Sequence, residues 1–157
     1  MSVFEQASIM NPTLVCVRDQ LLIVMGACLA FAAAAQEQRM LSVEAYGFVN
    51  ARGRAVAKLF EPGDSVRGHS RQEHVAVITN RKASFQFANL VPGRYAIVVF
   101  HDENNNNEID HNTLRLPTEA LGFSGGYAMG LFSGLPNFEK LAFSYDKPLQ
   151  HIHIIVK

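Results

Sequence analysis

After residue 36 the apolar residues fall in short runs with a period of two, and no stretch carries the three-to-four spacing of a helix. In LSVEAYGFV (41–49), Leu41, Val43, Ala45 and Gly47 alternate with Ser42, Glu44 and Tyr46, as in a strand with one face buried. RAVAKLF (54–60) follows a turn at Arg52-Gly53. A polar connection, EPGDSVRGHSRQE (61–73), leads to a third strand, HVAVITN (74–80), and ASFQFANL (83–90) alternates through Phe85 and Phe87. Pro92 presets its own φ and Gly93 accepts a positive one, which predicts a type II turn. RYAIVVF (94–100) is apolar on both faces and predicts a central strand covered on both sides. EKLAFSY (139–145) and LQHIHIIVK (149–157) close the chain. In the latter, Ile152, Ile154 and Val156 share one face, and His151, His153 and Ile155 the other.

Six or seven short strands between turn signals predict an all-β protein, a single antiparallel β-sandwich. Residues 114–138 lack a period yet are too apolar for plain disorder, so they are expected to pack over one end of the sandwich.

The N-terminal 35 residues follow a different pattern. Leu21 to Ala35 is an unbroken apolar run of 15 residues, short of the roughly 20 that a membrane span needs. It ends in Ala33-Ala34-Ala35 before Gln36, an A-x-A cleavage pattern. The segment before it is long, and Asp19 cancels Arg18. The expectation is a cleavable signal peptide, 1–35, and a periplasmic or secreted β-sandwich domain, 36–157, with no membrane span. A buried helix, an uncleaved anchor or a lipoprotein route through Cys28 are the alternatives.

Composition narrows the chemistry. Both cysteines, Cys16 and Cys28, lie in the leader, so residues 36–157 have no disulfide, thiolate metal site or cysteine nucleophile. With 14 basic and 14 acidic residues, nothing steers the chain toward nucleic acid or an anionic membrane surface. Hydrophobic residues at 48% suffice for a core.

The densest chemistry is FHDENNNNEIDHNT (100–113). Hard cations such as calcium take six to eight oxygen ligands, which a loop supplies at every second residue. Asp102, Asn104, Asn106 and Asp110 stand at positions one, three, five and nine of such a loop, and Glu108, at seven, offers its backbone carbonyl. Position six is Asn107 rather than Gly, and Asn tolerates the left-handed conformation. Position twelve is Thr113, where a bidentate Glu belongs, and Glu119 is the nearest substitute carboxylate. The expectation is a weak structural calcium site. The alternative is a solvated loop in which Asn and Asp hydrogen-bond their own backbone.

FANLVPGRYAIVVFHDENNNNEID, followed by LPTEALGFSGG and LPNFEKLAF, resembles the bacterial domain-of-unknown-function family 2141. The residues that carry the likeness are Pro92, Gly93, Tyr95, His101, Asp102, Asn104, Asn106, Asp110, Pro117, Glu119, Gly122, Phe123, Ser124, Pro136 and Phe138. Asn107 stands where that family usually has Gly, and Leu141 where it often has a small residue. The resemblance spans roughly residues 41–156. It implies an exported β-sandwich of prealbumin or carboxypeptidase-regulatory type with no settled activity.

Three further groups invite chemistry. His151 and His153 project from one strand face and could bind a transition metal given a third ligand; exposed strand histidines are the plainer account. His101 either orients the loop or is a strand-end residue with a hydrogen bond. Gly122, Ser124 and Gly126 match the G-x-S-x-G nucleophile pattern without the strand-turn-helix context that it needs. The functional expectation is a non-enzymatic binding or accessory module with an unknown ligand or protein partner. Its alternatives are a hydrolase using Ser124 with a histidine such as His101, and a structural domain packing residues 127–138 on a partner.

Overall fold

The structure, a computed structural model, describes residues 39–130 and 136–157. The expected leader and its cleavage site lie outside the described residues. Among the described residues there are eight strands: β1 (Met40–Tyr46), β2 (Arg54–Phe60), β3 (Gln72–Ala76), β4 (Lys82–Ala88), β5 (Gly93–Asp102), β6 (Leu121–Phe123), β7 (Phe143–Tyr145) and β8 (Leu149–Ile155). They form two sheets, β4-β1-β8 and β3-β2-β5-β6, with β7 pairing the start of β5. The protein is all-β and sandwich-like. No helix among the described residues is long and apolar enough to cross a membrane.

Alternation explains the first sheet. Leu41, Val43 and Ala45 of β1, and Ala83, Phe85 and Phe87 of β4, turn inward and are buried. They meet Ala55, Ala57 and Leu59 of β2 and Tyr95, Ile97 and Val99 of β5 in one core between the sheets. The other face of β5 is buried too: Ala96, Val98 and Phe100 join Val56, Phe60, Leu121, Phe123, Phe138 and Leu141 in a second cluster. The run at 94–100 is thus a central strand covered on both sides, as its composition predicts.

Several local expectations are corrected. The sheets are not purely antiparallel, because β1 and β8 run parallel, with Val43 opposite Ile152. That places the last of the eight described strands beside the first, a long-range pairing that no local pattern encodes. The third strand begins at Gln72, inside the polar connection, and ends at Ala76. Gly93 is not among the positive-φ residues; Asn89, at φ 59, takes that conformation and Gly93 starts β5. Within 139–145 only Phe143–Tyr145 is strand, because Phe138–Leu141 forms one helical turn, α1, whose N-cap Asn137 accepts from the Lys140 amide at 3.2 Å. The aperiodic segment contributes β6 to the sheet edge instead of only lying over an end.

Candidate functional site

Strand pairing places the loop. In the β2–β5 ladder Arg54 lies directly opposite Asp102, the last residue of β5. The turn that precedes β2 brings Gly53 against the same spot. Its φ is +64°, and a Cβ there would lie 2.0 Å from the Asp102 carbonyl oxygen. Only glycine allows this approach.

Asp102 is fully buried and is the hub of the loop. Its Oδ2 accepts from Arg54 Nε at 2.9 Å and from the Asn107 amide at 3.0 Å, and its Oδ1 accepts from the Asn106 amide at 3.0 Å. Burial by itself would raise its pKa. The hydrogen bonds from Arg54, Asn107 and Asn106, with the Arg54 charge, outweigh it and hold the carboxyl below its ordinary value. Arg54 Nη2 also donates to the Asn105 carbonyl at 3.0 Å, and Lys58 Nζ to the Asn107 carbonyl at 3.1 Å. Asn105 and Asn107 take positive φ, 62° and 64°, as asparagine permits.

The side-chain oxygens of Asn104, Asn106 and Asp110 are engaged as well. Asn104 Oδ1 accepts from the Asn106 amide at 3.1 Å, and Asn106 Oδ1 from the Glu108 amide at 2.7 Å. The two amide nitrogens reach Asp110: Asn104 Nδ2 donates to Oδ2 at 2.6 Å and Asn106 Nδ2 to Oδ1 at 3.0 Å. Glu119 joins the loop to the returning segment. Its carboxylate accepts from the Glu103 amide and from the Asp110 amide, each at 3.3 Å. Burial raises the Glu119 pKa; the amides of Asp110 and Glu103 pull it down, and the charges of Asp110 and Asp102 push it up again, leaving it above the ordinary value. The return is a narrow hairpin, with His111 bridged to Pro117 and Asn112 Oδ1 accepting from the amides of Leu114 and Leu116 at 3.0 Å.

Of the residues proposed from sequence, Asp102, Asn104, Asn106, Asp110 and Glu119 therefore converge in one hydrogen-bonded cluster. Glu108 joins it through its backbone amide, and its side chain is exposed. Sequence reasoning missed Arg54 and Lys58. The signal was there: both lie on the same face of β2 as Val56 and Phe60, and cations on an apolar strand face need partners. Among the described residues no group of three or more His, Cys, Asp or Glu could hold a metal ion.

The other candidates take structural positions. His101 is buried, donates from Nε2 to the Arg52 carbonyl at 2.7 Å, and packs edge-on against Phe48 with centroids 5.5 Å apart. Ser124 is buried at the end of β6. Its Oγ accepts from the Ile97 amide at 2.8 Å and donates to the Leu141 carbonyl at 2.7 Å, so its hydrogen bonds go to backbone on two elements. His151 and His153 are exposed on β8, with His153 Nδ1 3.3 Å from Glu44 Oε2. Of 127–138, Pro136 and Phe138 are buried, Tyr127 and Met129 half-buried, and 131–135 lie outside the described residues.

No curated protein and no solved structure matches the chain. A family model described as "uncharacterized protein conserved in bacteria (DUF2141)" matches residues 43–153, from within β1 to within β8 and across the whole loop. The motif string from Pro92 to Phe138 lies within this match, and the chain belongs to this bacterial family.

Proposed function

We propose that the protein is an exported, non-enzymatic binding or accessory module of prealbumin type, in which the 102–119 region forms a pre-ordered end surface for a ligand or protein partner. One observation carries this reading: Asp102, through Arg54, fastens a polar, outward-facing loop to β2, and Glu119 fastens its two limbs to the segment that returns to β6. Asn104 to Glu108 are exposed while their backbone is held, and a surface ordered before binding loses less entropy on binding. Ser124 supports the non-enzymatic reading, since abstracting its proton would break the Leu141 contact that locks β6 to α1. Export rests on the apolar run and the Ala33-Ala34-Ala35 pattern.

Calcium is the second reading. The carboxylates of Asp110 and Glu119 stand on the two limbs of the loop, with Glu119 accepting from the Asp110 amide at 3.3 Å. Asp110 and Glu119, with the amide oxygens of Asn104 and Asn106, are the groups that would hold the ion. Because Arg54 already engages Asp102, the donor set is weak, in the range of about 10⁻⁴ to 10⁻³ M.

Expression with cell fractionation tests export: a periplasmic or secreted product beginning at Gln36 supports it, and an intact cytoplasmic chain refutes it. Thermal melting in millimolar calcium against EDTA tests the ion. An unchanged transition removes calcium while leaving the binding surface standing.

A further inference from the structure

A second site lies on other elements and does not rest on the loop. Where β6 meets the end of β8, Leu121 and Lys157 exchange two backbone hydrogen bonds of 3.0 Å, so the outer faces of the two sheets meet at a corner. Gly122 makes this corner possible: a Cβ there would lie 2.6 Å from Ile154 Cγ2 and 2.7 Å from the Ile155 carbonyl oxygen. Outside the corner is a cavity of about 310 Å³, within the size range of small-molecule sites.

Its lining is amphipathic and of one sign. Leu121, Phe123, Met129 and Ile155 give an apolar interior, and the Phe123 and Tyr127 rings stand edge-on with centroids 5.6 Å apart. Its polar and basic residues are Tyr46, Tyr127, His153 and Lys157, and no aspartate or glutamate is among the described residues that line it. Lys140 adds a cation 5.9 Å from the Tyr127 ring. The nearest carboxylate to His153, that of Glu44, is already held by Lys82 at 2.9 Å.

We propose that this cavity binds small amphipathic anions, molecules with an apolar body and a single carboxylate. The body covers the Phe123, Tyr127 and Ile155 surface, and the carboxylate meets Lys157, with tyrosine hydroxyls and His153 as further partners. Burying the apolar part drives binding, and the sign of the lining selects the head group.

The probes are octanoate, octanol and octylammonium, titrated against the purified chain by calorimetry, with amide chemical-shift mapping. Octanoate is expected to bind about tenfold tighter than octanol and more tightly still than octylammonium, with shifts confined to the β6–β8 corner and 126–129. Lys157→Glu is expected to weaken octanoate at least tenfold, and Ile155→Glu to abolish its binding; both residues are exposed, so the melting transition stays in place. Equal affinity for the three probes, shifts elsewhere, or an unchanged octanoate affinity in Lys157→Glu would overturn the proposal. Absence of octanoate binding at millimolar concentration would do the same. None of these results bears on the loop or on export.

Discussion

Replacing Arg54 with Met removes a guanidinium and leaves a fully buried carboxylate behind. Asp102 keeps its two backbone donors, Asn106 and Asn107, but loses the 2.9 Å charge-assisted bond, and the Asn105 carbonyl loses its 3.0 Å partner. Breaking a buried ion pair from one side costs about 3 to 5 kcal/mol. The Arg54 side chain is 28% exposed while that of Asp102 is 0%, so water partly relieves one partner and the lower end applies, about 3 kcal/mol. For a domain of this size, about 4 °C per kcal/mol gives a fall in Tm of about 12 °C. The pH dependence is diagnostic. The native Asp102 pKa lies below its unfolded value of about 3.9, so the pair's stabilisation is complete above that value and is lost as pH falls through the native pKa. The gap between wild type and Arg54→Met should therefore be widest near neutrality and close in acid. Urea denaturation followed by circular dichroism across this range measures it. Adding Asp102→Asn to Arg54→Met should recover part of the loss, since the unpaired charge is then gone. A gap below about 1 kcal/mol, or one that does not change with pH, would refute the hub role of Asp102.

Ser124→Ala leaves the buried Ile97 amide and Leu141 carbonyl without their partner and should cost about 3 kcal/mol by denaturant unfolding. A folded Ser124→Ala variant that selectively lost an ester hydrolysis present in the wild type would instead favour the hydrolase. Gly53→Ala drives a Cβ into the Asp102 backbone from a left-handed residue and should destabilise by at least about 3 kcal/mol, whereas Gly93→Ala, which meets only ordinary contacts, should stay within about 1 kcal/mol in the same assay. The native Glu119 pKa lies above its unfolded value, so the folded state holds that proton more tightly and stability falls as pH rises through the window just above about 4.3. Glu119→Gln should flatten that part of the stability–pH profile, and an unchanged slope would contradict the assignment.

What could be read in the chain was whatever depends on neighbours in sequence. The two-residue period at Leu41 to Ala45 and Ala83 to Phe87 is set by the pleat, and the uninterrupted Tyr95 to Phe100 run reports a strand with two covered faces. The alternating oxygens from Asp102 to Asp110 marked the loop, because closing a tight turn needs side chains that bond nearby amides. What depends on distant pairing was hidden. The parallel β1–β8 ladder joins the ends of the folded body, and β6 is a strand because Gly122 fits against β8, not because of its own propensity. The Arg54–Asp102 contact spans 48 positions and exists only once the β2–β5 register is known. The alternation signal therefore located the loop but left open whether an ion or the protein's own cations order it.

Amide hydrogen exchange of Glu103, Asn106, Asn107 and Asp110 in calcium-free buffer separates these directly. Their amides donate to the carboxylates of Glu119 and Asp102. Strong protection of all four with EDTA present, lost for Asn106 and Asn107 in Arg54→Met, is the predicted result. Exchange at free-chain rates until calcium is added would mean that the loop is not ordered by the protein alone.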